Sequence, residues 1–222
     1  MKRAVLALIL FGSACSVSII ALQLTTPTDW KWRTDNPAAV TNNSATLPPE
    51  QWYYVGMPPG WHVTTNPGVL LYHPGHDGRG NFTLESEVFL FPGDNQEEYG
   101  LFIGGKSLDP TASAPSYTAF LIRRDGQAAI LKRNGASTTA LVNWKTNTVV
   151  APHPGGDVTA RNVLKVEVGP ANVLFYANGT EIARVPRNEV TAEGAFGFRL
   201  GKSLNLHITS LDFTQRLAPT RP

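Results

Sequence analysis

Residues 82–90, FTLESEVFL, alternate between two kinds of side chain along their whole length and decide the fold class of this chain. The even-numbered positions are apolar apart from Ser86, and the odd-numbered positions are polar or charged apart from Phe89. Successive side chains of a β-strand point to opposite faces of the sheet. This period of two therefore predicts a strand with one face in a hydrophobic core.

Similar short apolar segments surround this strand, and turn signals separate several of them. The dipeptides Asp125-Gly126, Asn134-Gly135 and Asn178-Gly179 are typical of tight hairpins, which need positive φ. About a dozen short strands without an amphipathic helix predict an all-β, antiparallel sandwich or barrel. The further predicted strands are residues 69–73, 99–104, 118–124, 128–133, 137–142, 162–168, 172–176, 180–185, 195–200 and 204–212.

The composition restricts the classes of function. The chain has 222 residues and a formal net charge of +2, from 19 basic and 17 acidic residues. This balance lacks the basic excess of a nucleic-acid-binding protein, so nucleic acid is not an expected partner. The single cysteine, Cys15, precedes the strands, so the β-domain has no disulfide or thiolate metal site and depends on its core. No cofactor is expected.

Residues 4–24 carry no charge and directly follow Lys2 and Arg3. As a helix they would be roughly 30 Å long, the thickness of the hydrocarbon layer of a membrane. We favour a retained transmembrane anchor, because the run exceeds the roughly 7–15 apolar residues of a simple signal peptide. A cleaved signal is one alternative. A lipoprotein signal is the other, with Cys15 as the lipidated residue after Gly12-Ser13-Ala14, although the usual upstream leucine is missing.

The anchor predicts a single-pass cell-membrane protein. Lys2 and Arg3 favour a cytoplasmic N-terminus, which places the main domain on the periplasmic or extracellular side. Residues 25–51 are polar and proline-containing at their C-terminal end and predict an extended linker, and residues 52–222 form the sandwich domain with a short C-terminal tail. Trp30 and Trp32 are candidate interfacial residues beside the membrane; the alternative is that they pack on the domain.

The order of five motifs resembles the concanavalin A-like lectin/glucanase superfamily, in its laminin G-like and pentraxin-like bacterial relatives. The resemblance covers roughly residues 61–213 and implies a jelly-roll sandwich. It also implies a sugar site on a concave sheet face or on rim loops, sometimes with calcium. The motifs are YGLFIGG (99–105), YTAFLIRRDG (117–126), NVLKVEV (162–168), FYANGT (175–180) and GAFGFRL (194–200).

Two groups of residues are candidate binding sites. Trp52, Tyr53 and Tyr54 lie close to Trp61, and such aromatic residues stack on sugar rings or anchor protein interfaces. The alternative is that they close one end of the core. Arg123 and Arg124, with Lys132 and Arg133, form a candidate basic patch for an acidic partner or lipid headgroups, or else a solvated hairpin face.

Candidate catalytic and metal-binding residues are weaker. Glu85 and Glu87 share one face of a strand, but the Glu-x-Asp-x-x-Glu pattern that the resemblance implies for glucanases lacks its third acid here. His73, His76 and His153 lie in Gly/Pro-rich segments, which favours plain polar loops over metal sites.

These observations favour a non-enzymatic, membrane-anchored structural or interaction subunit. Its sandwich domain would brace a larger membrane complex, such as a respiratory or photosynthetic reaction-centre–antenna assembly. The expected partners are other membrane protein subunits and membrane lipid, with carbohydrate as a further ligand. The alternative function is a lectin-like carbohydrate-binding surface protein, followed by a glycoside hydrolase that uses Glu85 and Glu87.

Overall fold

The computed structural model describes residues 29–35 and 52–216. The predicted anchor at residues 1–24, the lipidation candidate Cys15 and most of the predicted linker lie outside these ranges. Within the described ranges, no helix is long and apolar enough to span a membrane.

The described chain consists almost entirely of β-strands, with one short 3-10 helix at Arg187–Glu189. The strands are β1 (Lys31–Thr34), β2 (Trp52–Gly56), β3 (Trp61–Thr65), β4 (Val69–Gly78), β5 (Asn81–Leu90), β6 (Tyr99–Lys106), β7 (Ser116–Ile122), β8 (Gln127–Asn134), β9 (Ser137–Thr146), β10 (Ala160–Val168), β11 (Asn172–Ala177), β12 (Thr180–Pro186), β13 (Gly194–Leu200), β14 (Asn205–Ile208) and β15 (Asp212–Arg216).

The strands form two antiparallel sheets that pack face to face. One has seven strands in the order β1-β4-β13-β6-β7-β8-β9. The other has eight, in the order β12-β11-β10-β5-β14-β3-β2, with β15 also paired to β5. Every pairing between described strands is antiparallel. The prediction of an all-β antiparallel sandwich is confirmed.

Strand β5 lies at the centre of the eight-stranded sheet and shows the predicted alternation. Its even-numbered residues are buried between the sheets and its odd-numbered residues are partly exposed on the outer face. Ser86 is tolerated in the core because its hydroxyl donates to the Ser210 carbonyl at 2.5 Å. Complete burial of a side chain such as Leu84 contributes roughly 1.5–3 kcal/mol, and a domain without disulfides depends on many such contributions.

Two segments differ from their predicted boundaries. Lys31–Thr34 lies inside the range predicted to be a linker, yet it pairs with β4 at the edge of the seven-stranded sheet. Residues 204–212 were predicted to form one strand, but the chain leaves β14 and starts β15 at Asp212. Strand β14 pairs with residues 88–90 of β5, whereas β15 pairs with residues 81–85. The two strands are therefore separate because they pair with different parts of β5.

Candidate functional site

The outer face of the seven-stranded sheet is unusually apolar. Antiparallel sheets commonly bury one face and solvate the other. Here the outward side chains form a second buried cluster, separate from the core between the sheets, which we call the outer-face cluster. Its members are Leu70, Tyr72, Phe102, Leu108, Tyr117, Ala119, Leu121 and Ala195, with Leu131 and Trp144 packed against them.

A groove crosses this face, and we call it the sheet-face groove. It consists of two adjoining cavities of about 320 and 110 Å³, both lined by Tyr117, Arg133 and Arg199. Gly100 pairs with both Arg199 and Leu121 across the sheet and adds no side chain to the floor there. The other lining residues are Arg33, Thr34, Asp35, Leu70, Glu98, Ser113, Pro115, Ala119, Leu121, Leu131, Gly135, Ala136 and Thr138.

Arg199, on β13, holds together the charged wall of the groove. Its Nη2 lies 2.9 Å from a carboxylate oxygen of Asp35 and 3.4 Å from one of Glu98, and Nη1 donates to the Leu200 carbonyl at 2.7 Å. Burial lowers the pKa of Arg199, but the carboxylates of Asp35 and Glu98 and the nearby Tyr117 raise it, and the net shift is upward. The Arg199 side chain is only 12% exposed. It therefore stays charged and fixes both carboxylates as acceptors.

Arg33 fastens a loop over one side of the face. Its buried side chain extends from β1, and its guanidinium donates to the main-chain carbonyls of Asp109 and Ala112. Asp109 closes its own turn by accepting from the amide and the hydroxyl of Thr111. Residues 107–115 are thereby held as one wall of the groove, and Ser113 and Pro115 are the residues of this segment that line it.

Tyr117, on β7, supplies the aromatic surface of the groove. Its ring packs against Phe102 with the ring centroids 5.6 Å apart. Burial raises the pKa of Tyr117, and the charges of Asp35 and Glu98 add to this rise, while Arg199 and Arg133 oppose it. The hydroxyl therefore remains protonated at neutral pH and is available as a hydrogen-bond donor.

The four residues of the predicted basic patch do not form one surface, because their side chains have different partners. Arg124 donates to the main-chain carbonyls of Phe91 (2.9 Å) and Asn95 (3.2 Å), which uses its guanidinium inside the domain. Lys132 donates to the Glu189 carbonyl at 2.7 Å. The patch members beside the outer-face cluster are Arg123, which stacks 3.8 Å above the ring of Trp144, and Arg133.

The described aromatic candidates pack on the domain. Tyr54 is buried in the core between the sheets, and Trp61 packs against that core. Trp30 contacts Trp61 and Phe198 with ring centroids 5.8 and 6.2 Å apart, and Trp32 also packs against the core. Trp52 and Tyr53 are placed in β2 by their backbone.

Glu85 and Glu87 lie on the outer face of the eight-stranded sheet, on the opposite side of the sandwich from the groove. Glu87 forms an ion pair with Arg161 at 2.5 Å. The rings of His73 and His76 stack with their centroids 3.9 Å apart. Across residues 29–35 and 52–216, no group of three or more His, Cys, Asp or Glu side chains is arranged to hold a metal ion.

Few features of the sequence point to the groove. Asp35 lies in the predicted linker, and Glu98, Tyr117 and Arg199 were not singled out as site residues, although the last two fall within motifs quoted for the family resemblance. Arg133 was named only as part of a basic patch. The signal that points to the groove is the apolar character of β7 at every position from 119 to 122, because a strand apolar on both faces must be covered on both.

Two antiparallel sheets packed face to face, with a groove on one outer sheet face, define a jelly-roll sandwich domain. The fold is similar to those of a carbohydrate-binding module, a protein with a galectin-like fold and a GH16 protein. No protein-family model matches the sequence, and no curated protein matches it.

Three solved structures illustrate the likeness. Carbohydrate-binding module CBM66 from Bacillus subtilis has a TM-score of 0.57 and 14% identity, over 83% of this chain and 95% of its own. A Bacillus subtilis protein of unknown function with a galectin-like fold has a TM-score of 0.58 and 12% identity, over 84% of this chain and 89% of its own. The GH16 protein of a Bacteroides ovatus mixed linkage glucan PUL has a TM-score of 0.54 and 8% identity, over 87% and 98%. At these identities the likeness concerns the fold alone.

Proposed function

We propose that this chain is a carbohydrate-binding protein whose ligand occupies the sheet-face groove. The observation that carries this proposal is the composition of the groove itself. Tyr117 and the apolar side chains of Leu121 and Leu131 line the groove. The charged side chains of Arg199, Asp35 and Glu98 form a fixed wall beside them. Ligand sites in proteins typically combine apolar surface with a few positioned polar groups.

The groove chemistry suits a sugar ring. The C–H surface of a sugar packs against an aromatic ring or aliphatic side chains, here Tyr117, Leu121 and Leu131. Sugar hydroxyls both donate and accept hydrogen bonds. Carboxylates held by Arg199 accept them, whereas the Tyr117 hydroxyl and the arginines donate. Because these groups are already held in place, binding would require little additional ordering.

The fold neighbours support the same class of ligand. CBM66 is a carbohydrate-binding module, and the GH16 structure holds a G4G4G3G product. The bracing role in a membrane complex rests on residues 1–24, which lie outside the described ranges. We therefore place carbohydrate binding first, and we propose that the domain acts on the extracytoplasmic side, held there by the apolar segment.

We further propose that binding occurs without catalysis. Glycoside hydrolases use two carboxyl groups, one of them a proton donor with a raised pKa. Asp35 and Glu98 both form ion pairs with Arg199, so these two carboxyl groups of the groove are held by one shared cation as a fixed wall and not as a separate acid and base.

A glycan array tests the binding proposal. We expect the full chain to bind a subset of glycans and Tyr117→Ala to lose that binding. Tyr176→Ala, on the outer face of the other sheet, is the matched control and should bind normally. Tyr117→Phe keeps the ring and should retain part of the affinity, which separates loss of the site from loss of folding. Absence of binding to any glycan, or equal binding by Tyr117→Ala, would overturn the proposal.

A further inference from the structure

The charged side chains that line the groove leave an excess of positive charge. One of the arginines, Arg133, indicates the class of sugar. Arg123, Glu98, Arg199 and Asp35 form a chain of ion pairs, with nitrogen–oxygen distances of 4.0, 3.4 and 2.9 Å. This series of ion pairs contains two cations and two anions, so it is electrically neutral. Arg33 and Arg133 remain as further cations that line the groove.

These two arginines differ in what they already bind. Arg33 is buried and donates to two carbonyls of the 107–115 wall, and the exposed carboxylate of Asp109 lies in the same turn. Each of its two terminal nitrogens therefore already donates to a main-chain carbonyl. Arg133 is half-buried, and among the described residues it donates only through Nε, to the Gly135 carbonyl at 2.5 Å. Within residues 29–35 and 52–216, no carboxylate forms an ion pair with it.

The terminal nitrogens of the Arg133 guanidinium are the atoms that remain to recognise an anion. A guanidinium has five N–H donors, and the bond from Nε leaves the terminal nitrogens with four. Two of these form the planar fork that matches a carboxylate or sulfate. Arg133 lines both cavities of the groove together with Tyr117 and Arg199, so a ligand in either cavity passes beside it.

We infer that the groove selects an acidic sugar, with Arg133 holding its carboxylate or sulfate group. This inference rests on the proposed function and specifies its ligand. Sugar hydroxyls would form hydrogen bonds with the electrically neutral series of ion pairs. The anionic substituent would form an ion pair with Arg133. In the partly shielded groove, such a charge-assisted hydrogen bond is worth more than one at an open surface.

Matched ligands provide the test. Calorimetric titration of the full chain compares trigalacturonate with its methyl ester, and a sulfated galactan oligosaccharide with its desulfated form. We expect an acidic member to bind at least about tenfold more tightly than its neutral counterpart, with affinity falling as salt rises. The two pairs distinguish a carboxylate from a sulfate.

Two variants connect the preference to Arg133. Arg133→Gln should reduce the ratio of acidic to neutral affinity to near one. Arg184→Gln, on β12 of the other sheet, removes the same charge elsewhere and should leave the ratio unchanged. Equal binding of both members of each pair, with loss of affinity in Tyr117→Ala, would overturn the acidic preference and leave carbohydrate binding intact. Binding of none of these ligands, nor of any glycan on the array, would overturn both, and binding instead to acidic peptides would identify a protein ligand.

Discussion

Replacing Arg199 by Met should destabilise the domain far more than a surface arginine does. The side chain is 12% exposed, and its removal leaves the carboxylates of Asp35 and Glu98 without their shared cation. Breaking a buried ion pair typically costs 3–5 kcal/mol. Asp35 is half exposed at 51%, so water would recover part of that loss, and we expect about 2–4 kcal/mol. For a domain of this size the melting temperature would fall by roughly 5–15 °C.

Urea unfolding followed by tryptophan fluorescence measures this loss. Trp30 contacts Trp61 and Phe198, so unfolding changes the surroundings of at least two indole rings. Arg184→Met is the matched control, because Arg184 pairs with Glu181 on the exposed edge of β12 and should matter much less. Removing the stranded charges as well, in Arg199→Met with Asp35→Asn and Glu98→Gln, should restore part of the stability. A loss below about 1 kcal/mol for Arg199→Met, comparable with that of an exposed pair, would refute the reasoning.

Two further predictions concern the core and the histidines. Leu84→Ala on β5 should cost about 2–5 kcal/mol by leaving a cavity between the sheets, whereas Thr83→Ala on the outer face should cost much less; urea unfolding of both variants checks this. Burial, and secondarily the neighbouring His73, lowers the pKa of His76 below its usual 6.5. The free energy of unfolding should therefore decrease as the pH falls from 6.5 towards the lowered pKa, because the unfolded chain then binds a proton more readily than the folded one. In His73→Gln an NMR titration should show the His76 pKa higher, though still lowered by burial, and an unchanged value would contradict the proximity of the two rings.

The strands were predictable because their information is local. In β5 the side chains other than Ser86 and Phe89 indicate by their polarity which face they occupy, and the structure continues the alternation through those two positions. Strand β1 was harder, since its alternation of Lys31 and Arg33 with Trp32 and Thr34 lasts only four residues. Its partner, β4, is also distant in sequence. Here the pairing with β4, and not the local pattern, determines the structure.

The groove was not predictable because its residues come from separate strands. Asp35, Glu98 and Arg199 meet only after β1, β4, β13 and β6 are arranged side by side. Arg123 and Arg124 show the same limit on a smaller scale. They are identical neighbours in the sequence, yet one stacks on Trp144 beside the groove and the other binds main-chain carbonyls of residues 91 and 95.

The placement of β1 has a mechanical consequence. The chain reaches the domain from its N-terminal side through residues 29–35, and this segment also contributes Arg33 and Asp35 to the groove. Tension applied to the chain ahead of Trp30 would load the hydrogen bonds between β1 and β4 first, and then the bonds from Arg33 and Asp35. Residues 29–35 therefore connect the preceding chain mechanically to a wall of the groove.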